Sequence, residues 1–138
     1  MAAHWSDAYV GRPWVEGRFD CANMACAVQA EVFGRRLGIP TERDYLGLAG
    51  LAKLRAMRGQ LRSLKDDYAD RIDEAAAQEG DGVLLIGRGK PDHIGILCLI
   101  DGARWVLHAA AGPLQVVRTR WRELGLYGYA IEGCYRWK

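Results

Sequence analysis

Three residues have the types and the placement for amide chemistry: Cys21, His93 and His108. Cys21 stands at the first helical position of Ala22-Asn23-Met24-Ala25-Cys26-Ala27-Val28, a pattern that extends to Leu37. Asp20 before it is a good N-cap, because its carboxylate accepts from the unpaired amides of a first helical turn. Those amides and the positive end of the helix dipole favour a thiolate at Cys21 over a thiol, and the thiolate is the nucleophile. A thiolate that attacks an amide needs an imidazole to exchange protons with sulfur and with the leaving amine. The backbone N–H of Cys21 itself is the natural donor to the developing oxyanion. A lone buried cysteine or a lone strand histidine is ordinarily core. Only the placement of the histidines together points to chemistry.

Only three histidines occur, and two of them flank Asp101-Gly102. Asp-Gly between apolar runs is the signature of a two-residue type I′ hairpin, which pairs Ile100 with Ala103, sets Gly95 opposite His108 and sets His93 opposite Ala110. His93 shares a sheet face with Gly95, and His108 with Ala110, so both imidazoles project from one face as diagonal neighbours, about 7–8 Å apart at Cα. Gly95 and the small run Ala109-Ala110-Ala111-Gly112 leave room for a cleft. A zinc site of Cys21, Cys26, His93 and Cys98 fits poorly. Five residues along a helix turn Cys26 by about 140° from Cys21, and five along a strand put Cys98 on the face opposite His93. Structural zinc ligands usually come in pairs two to four residues apart. No metal is expected.

The elements that must position these residues follow from periodicity. Residues 4–10 read as a short helix ended by Gly11 and Pro13, and the approach to Cys21 reads as a loop. The helix after Cys21 should end at Gly38, with Pro40 beyond it. From Asp44 to Gln78, apolar residues at steps of three and four, Leu51 to Tyr68 and Ile72, predict helices split at Gly59. Arg55, Arg58, Arg62 and Lys65 form a solvated stripe with no interleaved aromatic residues for stacking on nucleic acid. After Gly80-Asp81-Gly82, the runs 83–86, 94–100, 105–109, 114–117 and 129–135 predict an antiparallel sheet. Helices followed by strands give an α+β fold in a single domain, 1–138, with the helical half on one face of the sheet and a helical insertion over about 41–78.

Composition narrows the class. The 138 residues include 19 Lys+Arg and 17 Asp+Glu, a net charge of +2 that does not by itself indicate nucleic acid or an anionic membrane. The first residues lack the basic flank and apolar run of a secretion signal, and no stretch approaches a membrane span, so the expectation is a soluble protein made in the cytoplasm. In that compartment Cys21, Cys26, Cys98 and Cys134 are expected as thiols, with no structural disulfide.

Four motifs in order, Phe19-Asp20-Cys21, Gly80-Asp81-Gly82-Val83-Leu84, Asp92-His93-Ile94-Gly95-Ile96 and Val106-Leu107-His108-Ala109, resemble the NlpC/P60 cysteine peptidases, papain-like enzymes of bacterial cell-wall turnover. The short single-domain members carried with bacteriophage tails are the most similar, and Gly133-Cys134-Tyr135-Arg136-Trp137 also looks like theirs. The resemblance spans most of the chain outside about 41–78. It implies Cys21 as nucleophile, His93 as general base and His108 as the residue that orients His93, in a Cys-His-His triad without a cofactor. It implies substrate-binding roles for Asp20, which matches a position that recognises the free amine of a peptide stem, for Trp14 in place of a tyrosine lining the oxyanion site, and for Asp92. Ala22-Asn23 stand where the family usually has Ser-Gly. The implied substrate is a peptidoglycan stem peptide, cut at the γ-D-glutamyl to diamino-acid bond. Phage tail proteins are the implied partners, and the tail would carry the protein to the wall. Two rival readings are an inactive structural tail-assembly protein and an amidase or acyltransferase on the same fold.

Overall fold

A computed structural model of the chain describes residues 3–13, 21–37, 68–87, 90–110, 113 and 115–138, without the side chains of residues 21, 22 and 90–92. Six strands, β1 (Ala69–Ile72), β2 (Gly82–Gly87), β3 (Lys90–Ile100), β4 (Ala103–Ala110), β5 (Gln115–Arg120) and β6 (Tyr129–Trp137), form one sheet in the order β1-β6-β2-β3-β4-β5. Every adjacent pair is antiparallel. One α-helix, α1 (Cys21–Glu31), and short 3-10 segments complete the described fold, which is α+β.

The hairpin forms as its turn residues dictate. Asp101 and Gly102 both take positive φ, +50° and +76°, the type I′ pair whose twist matches the flanking strands. Ile100 pairs with Ala103 and Gly95 with His108, the register the turn predicts. A Cβ at Gly95 would lie 2.3 Å from Val106 Cγ1, so this close crossing admits no larger residue.

Alternation along the strands divides the core between two faces. On one face, Leu84, Ile94, Ile96, Cys98, Leu107, Ala109 and Val116 pack with Met24, Ala25 and Val28 of α1. On the other, Val83, Leu85, Leu97, Val106 and Cys134 pack with Leu124 and Trp121 from the 3-10 segment Trp121–Tyr127. Burial on both faces explains why β2 is a continuous apolar run and not an alternating one.

The helix expected over residues 4–10 is a 3-10 segment, Trp5–Ala8, and two further helical expectations differ. The helix ends at Glu31, not Gly38: Gly34 takes φ +64°, and the Arg35 amide turns back to the Gln29 carbonyl at 2.8 Å. A glycine in the left-handed region stops a helix whatever apolar pattern follows it. The expected helix over residues 69–76 is instead edge strand β1 followed by a 3-10 turn, Glu74–Ala76. β1 pairs Ala69–Ile72 with Trp137–Cys134. Pairing with a distant strand therefore outweighs the helical spacing of Tyr68 and Ile72. Residues 41–67 of that expected helical region, with Arg55, Arg58, Arg62 and Lys65, lie outside the described residues.

Candidate active site

The hairpin places His93 and His108 on one face, and their rings meet. His93 Nε2 and His108 Nδ1 are 2.9 Å apart, with the rings nearly perpendicular at 85° and their centroids 5.0 Å apart. Because Leu85 pairs directly with His93, both rings belong to the face of Val83, Leu97 and Val106. Tyr129, which begins β6, stacks on His93 at 5.3 Å and 17°, and presents an edge to His108 at 5.2 Å. On the far side, His108 Nε2 lies 3.1 Å from Thr119 Oγ1 of β5. His108 is 1% exposed and Thr119 8%, so this chain of contacts runs into the interior.

Burial dominates the protonation of both rings. It pulls His93 down to about 4, and it pulls His108, with the added effect of His93's charge, down to about 3. Both rings are then neutral at pH 7. Among the described residues, neither is in an ion pair with a carboxylate. A neutral imidazole keeps a lone pair for a proton, and burial makes the imidazolium it would form costly.

Cys21 is the first residue of α1, as the sequence predicts. Contacts at the far end of α1 fix its last turns. Gln29 Nε2 donates to the Gly80 carbonyl at 2.9 Å, and the Phe33 ring closes on Gly80 so tightly that a Cβ there would lie 2.6 Å from its Cζ. Gly80 precedes β2, whose pairing with β3 runs from Gly82–Ile96 past Leu85–His93 to Gly87–Lys90. Along α1, 11 residues at about 1.5 Å each span about 16 Å. The last turns of α1 thus sit at the end of the sheet where β2 begins. Its body packs on the face of the sheet opposite the two imidazoles. The side chains of Cys21 and Asp92, and all of Trp14 and Asp20, lie outside the described residues.

Other motif residues have structural work. The Asp81 carboxylate accepts from the Gln78 amide at 2.7 Å and from Arg136 Nη2 at 3.0 Å, locking the turn before β2 to β6. Cys26, Cys98 and Cys134 are free thiols. Burial raises Cys98 to about 12 and Cys134 to about 11, which suits packing and not nucleophilic attack. A mixed donor group forms elsewhere from His4, Glu79 and Cys98, whose ligand atoms lie within 4.8 Å of one another. His4 and Glu79 there already bond each other at 2.7 Å.

Sequence reasoning missed Thr119 and Tyr129. Thr119 pairs with Val106 and so shares the face of His108, but the connection between β4 and β5 carries no turn signature from which to count that register. Tyr129 reaches His93 across β2, a contact no local pattern encodes.

The model of a family described as a domain of unknown function, DUF6950, matches residues 1–124, and the chain belongs to that family. No curated protein and no solved structure matches it. Among the described residues, no helix is long and apolar enough to cross a membrane.

Proposed function

We propose that this DUF6950 member is a papain-like cysteine hydrolase, related to the NlpC/P60 peptidases, that cleaves an amide in peptidoglycan stem peptides. The bond most consistent with its sequence motifs joins γ-D-glutamate to the diamino acid. The observation that carries this reading is the 2.9 Å contact between His93 Nε2 and His108 Nδ1, in a chain whose Cys21 opens α1. With Nε2 engaged by His108, His93 has Nδ1 for the thiol. Sulfur attacks the carbonyl carbon as the thiol proton passes to Nδ1, and the oxyanion forms against the Cys21 amide at the helix start. Collapse expels the amine with the proton from His93 and leaves a thioester on Cys21. Water then repeats the sequence, with His93 as base, and releases the carboxylate. Carriage on a phage tail would bring the protein to the wall.

A structural tail-assembly role is the rival reading, favoured by the burial of both imidazoles and by α1 covering the other face of the sheet. Defined muropeptides separate the two. The wild-type protein should release a new amino terminus on the diamino acid, identified by mass spectrometry, and Cys21→Ala should release none while keeping the fold. Release by Cys21→Ala at the wild-type rate, or none by the wild type, removes the hydrolase reading.

A further inference from the structure

The contact chain does not stop at the histidines, and its direction is decided at its inner end. Three polar groups on adjacent strands form it: His93 on β3, His108 on β4 and Thr119 on β5, linked at 2.9 Å and 3.1 Å. Each neutral imidazole has one N–H, so the chain has two internally consistent arrangements. In the first, His93 Nε2–H donates to His108 Nδ1, and His108 Nε2–H donates to Thr119 Oγ1. His93 then carries its lone pair at Nδ1. In the second, the Thr119 hydroxyl donates to His108 Nε2, and His108 Nδ1–H donates to His93 Nε2. His93 Nδ1 then bears a hydrogen and has no lone pair to offer a thiol.

Two considerations select the first arrangement. It keeps both rings in the Nε2–H form that a neutral histidine side chain intrinsically prefers, whereas the second forces both into the other tautomer. It also needs no rearrangement when His93 takes a proton at Nδ1, since its Nε2–H bond to His108 is already in place. The hydroxyl proton of Thr119 remains free to rotate toward the 8% of that residue that stays exposed.

We propose that Thr119 is a positioning residue: by accepting from His108 Nε2–H it fixes the tautomer of His108, and through it keeps Nδ1 of His93 unprotonated. Its catalytic consequence rests on the hydrolase reading above, but the tautomers themselves do not. The histidines set the chemistry, and the threonine sets the histidines. Valine has nearly the shape of threonine and cannot accept, so Thr119→Val would leave the His108 Nε2–H buried without a partner. The Nδ1–H form leaves a bare Nε2 there instead, a smaller penalty than a buried unpartnered N–H, so His108 shifts toward it, and His93 with it.

Nitrogen-15 NMR of the imidazole rings tests this without a substrate, because protonated and unprotonated ring nitrogens resonate far apart. The wild type at pH 7 should show protonated Nε2 and bare Nδ1 in both His93 and His108. Thr119→Val, folded by its amide spectrum, should move His108 toward protonated Nδ1, and Thr119→Ser should restore the wild-type pattern. On muropeptides, Thr119→Val should lower kcat by about tenfold or more with KM little changed, and Thr119→Ser should recover most of it. A wild-type His108 protonated at Nδ1, or a Thr119→Val spectrum identical to wild type, overturns the proposal. If the wild type has no hydrolase activity, the functional reading falls, and the ring spectra still decide the role of Thr119.

Discussion

Two histidine environments, both in contact with β3, have opposite polar surroundings. His4 caps the 3-10 turn Trp5–Ala8, with Nδ1 beside the Ser6 hydroxyl at 2.7 Å and Nε2 on Glu79 at 2.7 Å. Glu79 also accepts from Trp5 Nε1 at 2.7 Å and from the Leu99 amide at 3.0 Å, while Arg118 donates to Ser6 Oγ at 2.7 Å. A carboxylate fixed by several donors pins the proton of the ring it faces, so His4 works as a clasp that ties the first turn of the chain to the sheet. His93 and His108 have the opposite surroundings: an imidazole, a hydroxyl and an aromatic face, with no carboxylate in an ion pair among the described residues. A neutral ring in such a chain keeps a lone pair for a transferred proton, which a catalytic base needs and a clasp does not. The histidine opposed by a carboxylate is structural, and the neutral pair is the candidate for chemistry.

The largest effect expected from breaking that contrast is at His108. His108→Ala removes the acceptor that aligns His93 and should lower turnover by about 10²-fold or more. His108→Gln, whose amide can still accept from an imidazole N–H, should retain far more. Equal turnover of the two variants on muropeptides would remove the orienting role.

A smaller effect concerns stability against pH. In the folded chain His93 lies at about 4 and His108 at about 3, against an ordinary 6.5, so the unfolded chain binds more protons than the folded one between those values. The stability tied to the neutral rings is fully present above about pH 6.5 and is lost as pH falls toward about 4, at about 1.4 kcal/mol per unit of depression. Urea unfolding should therefore weaken from pH 7 to pH 5 in the wild type, and weaken less in a His93→Gln/His108→Gln variant. Parallel curves for the two proteins would show that burial does not hold these rings neutral.

The smallest effect is at the clasp. Glu79→Gln keeps an acceptor for the Leu99 amide but removes the charge opposite His4, and should cost about 1–2 kcal/mol of stability while leaving turnover unchanged. A large loss of turnover in a folded Glu79→Gln protein, measured beside its unfolding curve, would erase the distinction between the two environments.

What the sequence revealed of this arrangement depended on how local the information was. Asp101-Gly102 specifies its own turn, the turn specifies the register, and the two-residue period of a strand then puts His93 and His108 on one face. That deduction crosses no unknown connection. Thr119 stayed hidden because its register depends on the link between β4 and β5, and Tyr129 because it meets His93 across β2. β1 was hidden for a related reason: Ala69–Ile72 becomes a strand by pairing with the far end of the chain, while its own spacing reads as helix. The helix start at Cys21 was legible, but its end was not, because Gly34 and Gly38 offer the same local signal and only tertiary packing chooses between them.

The proposed hydrolase requires the Cys21 thiol and Nδ1 of His93 to share one site. Dibromoacetone carries two electrophilic carbons on a short bridge and joins a thiol to an imidazole only when they are neighbours. Treatment of the folded protein, followed by peptide mapping, should give a single cross-link from Cys21 Sγ to His93 Nδ1, with Cys26, Cys98 and Cys134 unmodified. Alkylation of Cys21 without the bridge to His93, or bridging through another cysteine, would contradict it.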